Sequence, residues 1–223
     1  MVTGFACPSD CAKCCRLQPE RTPEAAAEER AFIDAMAEMG VYTCEDGPNG
    51  LVVSPPEAAR LKAVAKSRGL RLKLHPRTFL LDARARRVVV VAWHLAHAPC
   101  TFLDGFRCTV YDDRPLVCRA FPVSSPAPWR LAPLCPEGPP ARAKQRTGLA
   151  SFPVYFGGEA AARRALDAED AAREARALAL LDDPRARFRA GLSFAAARKL
   201  GARWPRVDVL DYAPGGRARA RSA

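Results

Sequence analysis

No apolar run in this 223-residue chain approaches the roughly 18–20 residues that a membrane span needs. The longest, Val88-Val89-Val90-Val91-Ala92-Trp93, has the length of a strand. The first residues, MVTGFACPSD, have no basic region followed by an apolar one, so no secretory signal is expected and a lipid-attachment role for Cys7 is excluded with it. The expected compartment is therefore the cytoplasm, with no membrane as partner. Repeats at a solenoid period are absent, and so is any glycine-rich cofactor loop. Histidine is scarce, with three in the chain.

The net charge of +11 raises the question of nucleic acid, and its distribution argues against it. Residues 141–223 carry 17 Lys and Arg against 9 Asp and Glu, so +8 of the +11 lies there. Those arginines are interspersed among alanines and acids along expected helices, the pattern of a solvated face, and no nucleic-acid-binding motif accompanies them.

What the chain has in quantity is cysteine, nine residues of it, eight of them in two groups. Cys7, Cys11, Cys14 and Cys15 lie at the front; Cys100, Cys108, Cys118 and Cys135 lie past the middle. In a reducing compartment such clustering points to metal ligands or redox groups rather than structural disulfides. Thiolates suit Zn²⁺ and iron–sulfur clusters. Cys14 and Cys15 are adjacent, and neighbouring side chains in extended backbone point apart, so they are better placed to face different metals than to share one ion. A centre fed by both groups would close a loop of more than eighty residues and fasten the N-terminal segment to the core. Cys44, alone in VYTCEDGPNG, is the one to leave out and reads as a small buried hydrophobe.

Around the ligands, Arg114 and Arg119 offset the net −2 that four thiolates leave on a divalent ion. Asp112 and Asp113 are candidates to orient them, and Tyr111 to pack beside a sulfur or donate to it. His94 and His97, in AWHLAHAPC, are secondary ligand candidates, with a strand end satisfied by backbone or water as the plainer reading. His75, in KLHPR, reads as a surface or turn residue.

Residues 1–21 read as a ligand loop. Thr22-Pro23-Glu24 opens a helix with a cap, a first-position proline and an early acid; Phe32, Ile33, Met36 and Met39 give it an apolar stripe for core packing, and Gly40 stops it. Val41–Thr43 and Leu51–Val53 flank EDGPNG, which predicts a short hairpin. Ser54-Pro-Pro-Glu57 is a capping box launching a helix to about Lys66, ended by Gly69. Leu70, Leu72 and Leu74 alternate as in a strand. Thr78–Leu81, DARARR and Val88–Trp93 predict a second hairpin. Asp104-Gly105 marks a turn, Arg114–Ala120 one short helical turn started by Pro115, and 122–140 a Pro-rich loop carrying Cys135. Helices are expected near Glu159–Leu181 and Pro184–Leu200.

With these residues assembled, the chain resembles the cysteine-cluster family of zinc- or iron-chelating proteins called YkgJ-like or CxxCxxCC. Cys11, Cys14 and Cys15 match its front motif; Cys7 departs from it, three residues before Cys11 where two are expected. Cys100-Thr101-Phe102-Leu103, then Cys108 through Tyr111, Arg114-Pro115, Cys118-Arg119 and Phe121-Pro122, match its long second motif. The resemblance spans about residues 7–136 and implies metal binding by these cysteines, without a settled activity. Some relatives look like flagellin lysine methylases, a role whose cofactor loop this chain lacks.

The expected fold is α+β: a small mixed cysteine-cluster domain at 1–140 with a loop-borne metal site, a helical C-terminal extension at 141–214 and a basic flexible tail at 215–223. The expected function is metal binding, zinc or iron–sulfur, through Cys7, Cys11, Cys14, Cys15, Cys100, Cys108, Cys118 and Cys135. Two other classes stand beside it. One is an iron–sulfur-dependent enzyme, radical-SAM-like through Cys7-x3-Cys11-x2-Cys14, or methyl-transferring. The other is a redox or metal-delivery protein that docks a partner through its helical C-terminal part.

Overall fold

The structure is a computed structural model, and it describes residues 22–44, 50–96, 100–121 and 157–215. In chain order the elements are α1 (Pro23–Glu38), β1 (Val41–Thr43), β2 (Gly50–Val53), α2 (Pro55–Ser67), β3 (Leu74–Asp82), β4 (Arg87–Ala96), β5 (Leu103–Asp104), β6 (Arg107–Cys108), α3 (Leu116–Arg119), α4 (Gly157–Leu181), α5 (Phe194–Leu200) and β7 (Arg206–Asp208). Helices packed on a mostly antiparallel sheet make an α+β fold.

The β3–β4 hairpin is the spine, and its turn is set by one side chain. Asp82 Oδ1 accepts from the backbone N–H groups of Arg84 and Ala85 at 2.8 and 3.0 Å, and Arg86 takes φ 51° to complete the reversal. The other carboxylate oxygen accepts from the Tyr212 hydroxyl. Burial first, and then this carboxylate, hold the Tyr212 phenol well above its ordinary pKa.

β1 pairs with β3 and β2 with β4, so the order is β1-β3-β4-β2. This corrects the hairpin expected between β1 and β2, which lie on opposite sides of the spine. A turn signal says that the chain reverses, not which strand it meets; two very short strands find better partners in two long central ones. The strand expected from Leu70 also shifts. Leu70 donates its N–H to Ala65 O and closes α2 after Gly69, and β3 begins only at Leu74, running on without a break through the 78–81 segment.

The C-terminal part enters the same sheet. β7 runs parallel to β4, pairing Val88–Val90 with Arg206–Asp208, a strand absent from the sequence reading. The helix expected over Pro184–Leu200 is confined to Phe194–Leu200, started by Ser193, whose hydroxyl accepts from Ala196 N–H. Before it the chain runs along the hairpin edge instead, with Arg189 N–H donating to Leu81 O and Phe188 bridging Asp82. Gly201 then passes so close to the hairpin that a Cβ there would meet Leu81 and Val88 side chains at 2.9 Å.

Strand alternation divides the core in two. One cluster gathers Tyr42, Phe79, Trp93 and Leu95 under Ala58, Leu61 and Ala65 of α2, with Phe102 and Val110 from the cysteine-bearing segment. The other gathers Val41, Leu80, Val89 and Val91 under Ala177 and Leu180 of α4, with Val209 and Tyr212. A buried ion pair, Arg173–Asp208 at 2.6 Å, ties α4 to β7. The stripe of α1 is only partly used: Met36 packs against the second cluster, but Phe32 and Met39 are exposed. Among the described residues, no helix is long and apolar enough to cross a membrane.

Candidate metal centre

Residues 100–121 have little regular structure of their own, so their order comes from what they lean on. A turn from Cys100 O to Leu103 N–H leads into β5, and β6 returns antiparallel to it, setting Cys108 opposite Leu103. Thr109 donates both its N–H and its hydroxyl to Phe102 O, each at 2.9 Å. The hairpin thus folds Cys108 back towards Cys100. Cys118 sits in α3, the short turn started by Pro115 as expected. All three cysteines are half-buried, and Cys100 and Cys108 pack against the first core cluster.

Helix α2 is what holds this segment. Glu57 is 8 % exposed and uses both carboxylate oxygens: Oε2 accepts from the N–H and hydroxyl of Ser54, and Oε1 accepts from Leu116 N–H at 2.7 Å. The same side chain therefore closes the capping box of α2 and fixes the start of α3. One and three turns further on, Arg60 donates to Asp113 O and Oδ1, and Arg68 donates to Thr109 O. Asp113, a candidate to orient Arg114 or Arg119, is thus paired with Arg60. Arg114 lies over the Tyr111 ring at 3.7 Å and donates from Nε to Tyr111 O. Arg119 is exposed. Cys7, Cys11, Cys14, Cys15, Cys135 and His97 lie outside the described residues.

A different group comes together on the sheet. Cys44, His75 and His94 place one ligand atom each within 4.8 Å of the others, the single such group among the described residues. His75 and His94 are register partners across β3 and β4, with rings stacked at 4.6 Å. His94 also faces Val52 of β2, and Cys44 is pinned at the end of β1 by its N–H donating to Arg77 O at 3.1 Å. Burial lowers the His75 pKa, and nearby Arg198 adds to this, which favours the neutral imidazole. His94 lies between Trp93 and Leu95, which point into the first core cluster, and so faces the other way from Cys100 and Cys108.

One expectation changes here: His75 is a strand residue rather than a surface or turn residue, and Cys44, set apart in the sequence, stands beside it and His94. No spacing motif could have revealed them, because the three come from three strands far apart in sequence. The hairpin could have. Counting seven residues outward on each strand from the Asp82–Arg87 pair arrives at His75 and His94, the two irregularities near Thr78 cancelling.

Residues 6–144 match the CxxCxxCC family model, described as a putative zinc- or iron-chelating domain. The chain belongs to the CxxCxxCC family. No curated protein and no solved structure matches it. All nine cysteines, and the histidine pair with them, fall inside the CxxCxxCC domain. The residues present fit the metal that the family name implies. Cys100, Cys108 and Cys118 offer soft sulfur donors, half-buried on an anchored segment, where thiolates suit zinc or iron.

Proposed function

We propose that this chain is a metal-holding protein whose eight grouped cysteines, Cys7, Cys11, Cys14, Cys15, Cys100, Cys108, Cys118 and Cys135, bind zinc or an iron–sulfur cluster in the reducing cytoplasm. The observation that carries this reading is the anchoring of the Cys118 helix by Glu57, a buried carboxylate spent on the start of that helix. Such fixing lowers the ordering cost of metal binding at Cys118. In this reading Arg114 and Arg119 offset the negative charge of the thiolates, with Tyr111 as their neighbour. A protein that received or supplied the metal would dock on the C-terminal part, where Leu178, Leu200 and Leu210 are exposed.

Purification without oxygen, followed by elemental analysis and a visible spectrum, tests the reading. Iron with acid-labile sulfide and visible absorption assigns a cluster; stoichiometric zinc in a colourless protein assigns zinc. A chain that retains neither metal, and takes up neither on reconstitution, overturns it.

A further inference from the structure

We propose that Cys44, His75 and His94 form a second metal site, on the other face of the sheet from Cys100 and Cys108, which takes a single borderline divalent cation of the zinc type and leaves one coordination position open. The argument starts from the backbone. β1, β3 and β4 are adjacent strands, and each contributes one donor or carries it at its end. The ladder therefore fixes all three Cα positions before any metal arrives, and only side-chain rotation is left to complete the site.

The separations agree with this. Tetrahedral zinc with bonds of about 2.0–2.3 Å places its ligand atoms about 3.6 Å apart. Atoms already within 4.8 Å need to close by little more than an ångström at most, a movement within reach of side-chain rotation.

The donor types then select the cation. One thiolate and two neutral imidazoles suit zinc, cobalt and cadmium, and disfavour magnesium and calcium, which take oxygen. One thiolate leaves a divalent ion with a net charge of +1, whereas four thiolates leave −2. The two sites therefore differ in what they attract: this one favours a water molecule or an anionic oxygen in its fourth position. Three protein donors with an open position characterise zinc sites that act on a ligand, whereas closed sets of four are structural.

There is room for such a ligand. His75 lines a cavity of about 600 Å³ beside α2 and α5, and Cys44 lines one of about 500 Å³ between α1, the sheet and α4. Glu29, Asp170, Arg77 and Arg173 line the latter too, so both acidic and basic groups flank the approach. Nothing in this proposal depends on the grouped cysteines binding metal.

The whole chain loaded with cadmium separates the two sites in one experiment, since cadmium NMR distinguishes sites rich in sulfur from those with one sulfur and two nitrogens. A resonance of the one-sulfur, two-nitrogen type is expected in the unmutated protein, and it should vanish in Cys44→Ala, His75→Asn and His94→Asn. Zinc per chain should fall by about one equivalent in each variant. Because the first readout uses the unmutated chain, misfolding of a variant cannot imitate or hide it. A cadmium-loaded chain without a resonance of that type overturns the proposal, as does one whose resonance survives all three substitutions. Absence of the sulfur-rich resonance alone argues against a zinc-type ion at the grouped cysteines and leaves this site standing.

Discussion

The two regions that carry candidate metal ligands are built in opposite ways. His75 and His94 ride on the longest strand pair described, and Cys44 follows the end of the strand beside it, so backbone ladders set their positions. Residues 100–121 own only a pair of two-residue strands and a four-residue helix. Their position comes from side chains of α2 that reach across to their backbone. A site carried by a ladder survives the loss of any one side chain around it. A segment hung from a neighbouring helix depends on the few contacts that hang it, and the buried one among them should dominate.

Glu57→Ala is therefore the largest single break. It strips the acceptor from Leu116 N–H and from Ser54 at once, and the lost charge-assisted hydrogen bonds and capping box come to about 2–4 kcal/mol of unfolding free energy. Urea unfolding measures that loss. The sharper readout is metal: retention by the grouped cysteines should fall, while the Cys44–His75–His94 site, on the far side of the spine, keeps its affinity. Equal loss at both sites would show that the two regions share one support, and would end the comparison. Glu57→Gln, which keeps an oxygen for Leu116 N–H, should recover part of the loss.

Thr78→Val strikes the other region. The Thr43 and Thr78 hydroxyls bond to each other at 3.1 Å across β1 and β3, one residue from Cys44. Removing one partner strands the other hydroxyl, which is buried on Thr43, and should cost about 1 kcal/mol. Zinc or cadmium affinity at the Cys44 site should drop about fivefold, with amide-exchange protection in residues 100–121 unchanged. Replacing both threonines by valine removes the stranded group and should restore most of the stability. If the double variant is worse than the single one, the pair is not what holds the Cys44 edge.

The same contrast explains what the sequence made legible. The Thr22 and Ser54 caps, the Gly40 and Gly69 stops and the DARARR turn were readable because each is decided within a few residues. The cysteine segment was readable as chemistry for the same reason. Its anchoring was not: Glu57 looked complete as a capping residue, and the bond to Leu116 spans 59 positions. The partners of β1 and β2 and the parallel strand Arg206–Asp208 depend on which edge of the spine is vacant, which no local pattern encodes. The juxtaposition of Cys44 and His75 was not legible because residues brought together from separate strands have no spacing, only a register.

The smallest effect should come from Arg68→Ala. Its guanidinium donates to Thr109 O at 2.7 Å, on the same side of the segment as Arg60, but both partners are exposed and water can take its place. The expected cost is about 0.5 kcal/mol, with the urea midpoint nearly unmoved. Exchange at Thr109 N–H should quicken several-fold, because its bond to Phe102 O loses an outer brace. Arg60→Ala should behave similarly, since its ion pair with Asp113 is exposed on both sides. Combining the two should roughly add, and still leave the grouped cysteines holding more metal than Glu57→Ala does. If the double arginine variant instead loses as much metal as Glu57→Ala, the anchoring is spread along the face of α2, and the buried carboxylate is one contact among equals.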